Sequence, residues 1–314
     1  MSELIKTFCF GLETSVLWDP DEDDIPRYIS EGFIPIEMAA GRKSYVDFRL
    51  LDHHNEFSDR PSACLTALVH YGEAREAGCA KFMVNHVDAD CVMTGITLMG
   101  LLPEDVLREL NEEVGILDTE PLRADMRRLK YGSHIQRWKA GMSAVKNTGW
   151  CWLYGVSLFV GIIDNPSRYG AVIGRLKDSE SERISRALED YATAMTGDTG
   201  KVILIPSSRA WGLDVQFGRD YDADFEDASA WRHWCLISRN EKNGSVLVSC
   251  PNKVLAERVF GSGGLMNVFP KLPAINGKFW GGREAVGGSP RGERVPDEML
   301  GVVLRLLDGA IRAI

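Results

Sequence analysis

Two short segments concentrate the side chains that bind divalent cations. Leu50-Leu51-Asp52-His53-His54 sets one carboxylate beside two imidazoles, and Met83-Val84-Asn85-His86-Val87-Asp88-Ala89-Asp90 places one imidazole and two carboxylates at alternate positions. Side chains alternate along an extended backbone, so His86, Asp88 and Asp90 share one side, and Asp52 and His54 share another. Imidazole nitrogen with carboxylate oxygen suits a borderline or hard divalent ion such as manganese, magnesium, cobalt or zinc. Two such sets at neighbouring strand ends would hold two ions about 4 Å apart, the arrangement that activates water and stabilises both oxygens of a phosphoryl displacement. A lone His-x-Asp or His-His pair is commonly a surface or capping feature. Here both sets follow apolar runs and share a composition, and that coincidence carries the metal reading.

Strands have to bring those segments together. Tyr45 to Leu51 and Ala80 to Asn85 read as strands, with a helix opening at Pro61 and running to His70, and another through Val92 to Leu102. A further helix starts at Pro103-Glu104-Asp105, and Val114 to Leu117 reads as a third short strand. Strands alternating with helices predict an α/β fold, a parallel sheet with flanking helices whose site lies at the carboxyl ends of the strands. Ser179 to Met195 is helical in pattern and closes at Gly197 and Gly200, which places a boundary there: residues 1–195 form the metal-binding α/β domain and 196–314 a smaller α+β domain. In the latter, Val202 to Pro206, Leu213 to Phe217, Trp234 to Ser238 and Ser245 to Ser249 are strand candidates. Asn243-Gly244 is a hairpin turn, and Pro296 to Ile314 is an amphipathic helix.

Composition narrows the function classes. With 36 Lys+Arg against 45 Asp+Glu the net charge is −9, so no general positive field attracts a long nucleic-acid duplex. A short anionic substrate held by a local, metal-supplied charge stays open. No apolar run is long enough to span a bilayer, so neither a spanning helix nor a membrane partner is expected. The start lacks a secretory pattern, and seven cysteines (9, 64, 79, 91, 151, 235 and 250) show no Cys-x-x-Cys spacing. Both point to reduced thiols in the cytoplasm.

LLDHH and VNHVDAD together resemble the signature of the DHH phosphoesterase superfamily, which takes in RecJ-type exonucleases, NrnA-type oligoribonucleases and cyclic-dinucleotide phosphodiesterases. The two motifs stand in reversed order here, DHH first, in the manner of a circular permutation. The resemblance implies two manganese ions held by Asp52, His54, His86, Asp88 and Asp90, with His53 beside the scissile phosphate as a catalytic group. Asp118, ending Gly115-Ile116-Leu117-Asp118, and Asp164, ending Phe159 to Asp164, are candidates for the family's isolated aspartate ligands; an aspartate in such a place is as often a cap.

The segment Trp280 to Gly292 is rich in glycine and basic, and it resembles the family's Gly-rich substrate loop with Arg283 in place of a histidine. Gly281, Gly282, Gly287 and Gly288 would let backbone N–H groups approach an anion, with Arg283 and Arg291 clamping it. A plain surface turn is the alternative. The expected function is therefore a metal-dependent hydrolase, a phosphoesterase cleaving a short oligonucleotide, dinucleotide or small nucleotide by attack of a metal-bridging hydroxide. Hydrolysis of a non-phosphate molecule, or nucleotide binding without catalysis, stands as the alternative. A homodimer is one open expectation for the oligomeric state.

Overall fold

A computed structural model describes residues 3–40, 43–57, 60–119, 126, 129–142, 145, 148–165, 167, 182–209, 214–290 and 292–311. The architecture is mixed α/β, in two compact units that divide between Leu176 and Lys177.

The first unit opens with strands β1 (Glu3–Cys9) and β2 (Leu12–Trp18), a hairpin that the sequence reading missed. Phe10 and Gly11, with φ of +52° and +81°, form its two-residue turn. Then come α1 (Ile25–Ser30), β3 (Ile34–Pro35), β4 (Met38–Ala40) and β5 (Lys43–Tyr45), followed by α2 (Ala63–Ala67), α3 (Glu73–Glu76), β6 (Cys79–Val84), α4 (Ala89–Leu98), α5 (Glu104–Thr119), α6 (Gly132–Met142) and α7 (Gly149–Asp164). The main sheet runs β1-β2-β6-β3, antiparallel between β1 and β2 and parallel from β2 through β6 to β3. Its central strands are apolar on both faces, as doubly covered strands must be. Val16, Trp18, Ala80, Phe82 and Val84 join the larger core with α4 and α7, while Leu17 and Met83 meet Ile25 and Phe33 on the opposite face.

Two strand expectations fail in this unit. Tyr45 to Leu51 is not a strand; β5 ends at Tyr45 and the chain continues irregularly to the Asp52 segment. Val114 to Leu117 lies inside α5, because Leu107, Leu110, Asn111, Val114 and Gly115 recur at helical spacing and bury one stripe. Gly115 sits where a Cβ would come within 2.5 Å of the Ser62 hydroxyl, so its lack of a side chain sets the approach to α2.

The second unit begins earlier than residue 196. A helix over residues 182–191 (α8) belongs to it, because Ala187 packs with Val215 and Asp190 accepts hydrogen bonds from the Arg209 N–H (2.7 Å) and Nε (2.8 Å). There follow β7 (Met195–Thr196), β8 (Val202–Ser208), α9 (Asp214–Phe217), β9 (Cys235–Asn240), β10 (Val246–Ser249), α10 (Lys253–Phe260), β11 (Gly281–Gly282), β12 (Val286–Gly288) and α11 (Asp297–Gly309). The sheet order is β11-β12-β10-β9-β8-β7, with β8 and β9 parallel and the remaining pairs antiparallel. Residues 214–217 are helical where a strand was expected; Leu213 lies outside the described residues. Among the described residues no helix is long and apolar enough to cross a membrane.

Candidate metal centre

Three chain segments meet at the carboxyl end of β6. Pro35 pairs with Met83 of β6, and the Ile36 N–H continues the ladder to the Met83 carbonyl at 3.0 Å. The next N–H, that of Glu37, bonds to the Leu51 carbonyl at 2.9 Å. Glu37 is thereby wedged between the Asp52-His53-His54 segment and the strand end that leads into His86. Its side chain is only 1% exposed, and neither carboxylate oxygen has a hydrogen-bond partner.

The imidazoles close on that carboxylate from two sides. His53 Nε2 lies 2.9 Å from Glu37 Oε1, 3.0 Å from Asp118 Oδ2 and 3.6 Å from Asp90 Oδ2, yet makes no aligned hydrogen bond. His86 Nε2 lies 3.4 Å from Glu37 Oε2 and 3.3 Å from Asp88 Oδ2, and His54 Nδ1 lies 3.8 Å from Glu37 Oε1. Among the described residues, three sets of donor atoms therefore come within 4.8 Å of one another: Glu37, His53, Asp90 and Asp118; Glu37, His53 and His54; and Glu37, His86 and Cys91. Every set contains Glu37.

The remaining groups hold this arrangement in place. Asp52, buried beside Glu37, accepts from the His54 N–H at 2.8 Å and contacts Nδ1 at 2.9 Å through Oδ1, which fixes the ring. Asp88 caps α4, its Oδ1 accepting from the Cys91 N–H at 2.9 Å, and turns its other oxygen to His86. Asp90 accepts from the Ala63 and Cys64 N–H groups, both at 2.8 Å, so it also tethers the start of α2. Asp118 stands on the last turn of α5 and not at a strand end. Backbone strain collects here too: Glu37, Leu50 and Asn55 adopt φ of +48°, +57° and +48°. For Glu and Leu this costs on the order of 1–3 kcal/mol each, and such strain clusters at functional sites.

The ion pairs of these carboxylates among the described residues run to histidine, so the protonated imidazoles are the local counter-charge. Burial alone would lower the His53 pKa, but Asp118 and Glu37 push it up to about 10. Asp88 and Glu37 likewise overcome burial at His86 and push it up to about 11. Burial raises the Asp90 carboxyl well above its ordinary range, and the charges of Glu37 and Asp118 add to the effect. Asp52 and Asp88 go the other way: burial opposes ionisation, but the bonds to His54 and to His86 respectively hold both carboxyls below their ordinary values. Burial, with the Glu37 and Asp88 charges behind it, raises the Cys91 thiol well above its usual range. Buried carboxylates and an imidazole crowded together without aligned hydrogen bonds fit a divalent cation, which would satisfy oxygen and nitrogen lone pairs at once.

Of the expected residues, Asp52, His53, His54, His86, Asp88, Asp90 and Asp118 are brought together. Asp164 is not: it is the exposed last residue of α7 and belongs to none of the three donor sets. Glu37 was missed, although it ends the apolar run Phe33 to Ile36 as Asp118 ends its own. The two adjacent histidines also differ in place. His53 is turned into the carboxylates and buried, whereas His54 keeps 29% of its side chain exposed.

In the second unit, the Gly-rich segment is a β-hairpin. Gly281 pairs with Gly288 and Gly282 with Gly287. The turn is bound at 2.8 Å between the Glu284 carbonyl and the Leu265 N–H, and at 2.7 Å between the Ala285 carbonyl and the Cys250 N–H. A Cβ at Gly287 would come within 2.3 Å of the Phe269 ring, and one at Gly288 within 2.4 Å of the Val246 carbonyl. Close packing thus accounts for these glycines. Arg283 is exposed at the turn, and Arg291 lies outside the described residues. An open cavity of about 470 Å³ borders the hairpin, lined by Gly281, Gly288 and neutral polar groups including Ser238, Asn240 and Ser289. Trp231 and Trp280 are buried in packing roles.

No protein-family model matches the chain, and neither does any curated protein or solved structure compared with it.

Proposed function

We propose that the chain is a metal-dependent hydrolase, a phosphoesterase of the DHH type with its motifs in permuted order, acting on a short oligonucleotide, a dinucleotide or a small nucleotide. The observation that carries this is the buried Glu37 carboxylate, with both oxygens unsatisfied, facing an equally unsatisfied His53 Nε2. Glu37, His53, Asp90 and Asp118 would hold one divalent ion, and Glu37 with His86 and Asp88 a second, manganese being the first candidate for both. Such ions supply positive charge to a phosphate and acidify water to near neutrality.

The chain's own residues then divide the work. Asp52 holds the His54 ring, and this partly exposed imidazole can donate to a phosphate oxygen. His53, the buried one, serves as ligand; this exchanges the roles that the family resemblance implied for the two. Seven free cysteines support a reducing, cytoplasmic setting.

The test is metal content after purification, together with manganese-dependent hydrolysis of pApA, short RNA and bis-phosphorylated nucleosides. Wild type is expected to hold stoichiometric metal and cleave at least one of these. Glu37→Gln and His54→Ala should each lower the rate about 100-fold or more while the circular dichroism spectrum is unchanged. Activity that survives both substitutions, or a protein that binds no stoichiometric metal, sinks the reading.

A further inference from the structure

We propose that the free edge of β1 is where two copies of this chain associate, through antiparallel β1–β1 pairing about a two-fold axis at Thr7. β1 is the terminal strand of its sheet, paired with β2 on one side only. The two-residue turn makes Cys9 and Leu12 a hydrogen-bonded pair, so Thr7, Ile5 and Glu3 also bond inward. The backbone N–H and C=O groups of Leu4, Lys6 and Phe8 therefore point away from the sheet. Natural edges are ordinarily blunted by proline, bulges or charge. This one carries a single lysine between Leu4 and Phe8, with Phe10 beyond, and all three apolar side chains are exposed, Phe8 by 77%.

The opposite face of β1, where Ile5 and Cys9 are buried, is covered by a helix that is itself apolar toward solvent. α7 runs along β1, from Gly149 beside Ile5 to Ser157 at Cys9, and it exposes Trp150 and Tyr154. Edge and helix thus make an apolar border on both sides of a strand whose outward backbone groups, those of Leu4, Lys6 and Phe8, have no strand partner among the described residues. What fits such a border is another strand.

A second copy fits by its own pattern. A two-fold axis keeps each residue on its own sheet face, so residue i meets residue 2c − i for an axis at residue c. An axis at Lys6 would set two ammonium groups directly opposite, which is unfavourable. An axis at Ile5 keeps five residues of β1 in register, as one at Thr7 does, but leaves Phe8, the most exposed side chain, beyond the paired segment, and an axis at Phe8 keeps only three. An axis at Thr7 pairs Lys6 with Phe8 twice, each ammonium beside an aromatic ring, and brings Leu4 level with Phe10 of the turn. The hydrogen-bonded pairs then fall on residues whose groups point outward, and Thr7 faces Thr7 in a non-hydrogen-bonded pair. The sheet would become eight-stranded and lose its exposed edge at β1.

Sedimentation of the full chain over a dilution series tests this, and it does not depend on metal or activity. Wild type is expected at twice the monomer mass at the upper concentrations. Phe8→Lys, which sets two lysines opposite each other at each pairing, should sediment as a monomer with unchanged circular dichroism. Under mild oxidation Thr7→Cys should give a reducible covalent dimer, because non-hydrogen-bonded pairs approach to about 4.5 Å between Cα atoms. Leu4→Cys should cross-link no more than wild type. A wild type that is monomeric throughout overturns the proposal, as does a dimer that survives Phe8→Lys. A Thr7→Cys dimer that fails to cross-link overturns the axis position.

Discussion

At the scale of single residues, the candidate centre depends as much on orienting groups as on ligands. Asp52 touches His54 twice through Oδ1, which fixes the ring, while its buried Oδ2 has no hydrogen-bond partner. Asp52→Asn keeps the shape and removes the charge; it should weaken manganese binding or turnover by about 10–100-fold, measured by calorimetry and initial rates. Six of the centre's residues were legible because DHH and HxDxD concentrate ligand types at spacings that extended chain can present. Glu37 was not legible. Its neighbours are apolar, and its place at the centre exists only because Ile36 extends the pairing with Met83 and Leu51 comes alongside. Asp118 and Asp164 give the same local signal, an acid at the end of an apolar run. Only the tertiary path separates the one beside His53 from the one at an exposed helix end.

At the scale of elements, glycines that look like an anion cradle turn out to be sheet geometry. Gly287→Ala drives a methyl into Phe269 and the Gly281 carbonyl. It should destabilise the protein by about 1–3 kcal/mol in denaturant titration, while Arg283→Ala, at an exposed side chain of the same hairpin, stays within about 0.5 kcal/mol of wild type. The second unit also has a buried titrating contact. His233 Nε2 meets the Tyr191 hydroxyl at 2.7 Å and Nδ1 the Gly200 carbonyl at 3.0 Å, and burial, with Arg232 and Lys201 nearby, lowers its pKa.

The unfolded chain takes up that proton near its ordinary pKa of 6.5, and the folded chain only at lower pH. The stability supplied by neutral His233 is therefore present above 6.5 and is lost as pH falls below it. The decline in melting temperature from about pH 7 to 5 should flatten in His233→Gln. Elements with a strong period or a clear stop were legible: β6, β8, β10 and α11 stand close to their expected places. The four residues Val114 to Leu117 were too few to reveal a period of 3.6, and the β1–β2 hairpin has no Asn-Gly or Asp-Gly to announce its turn.

For the whole molecule, a net charge of −9 has a local meaning. Five carboxylates, those of Glu37, Asp52, Asp88, Asp90 and Asp118, gather with three imidazoles, and divalent ions would relieve the excess. Manganese should therefore raise the unfolding free energy, by about 2.7 kcal/mol when free metal is a hundred times Kd, and a chelator should reverse the shift; calorimetric melting with and without metal measures it. The division between Leu176 and Lys177 leaves this chemistry wholly in the first unit. Glu37 belongs to each donor set, and it brings only two oxygens to all of them. In the proposed centre, then, the two ions are not independent lodgers: the first to arrive takes part of what the second needs, and it also removes the proton charge that held the imidazoles. Half-loaded protein would be a chemically separate species, and an average of one ion per chain would not reveal whether every molecule holds one or half of them hold two.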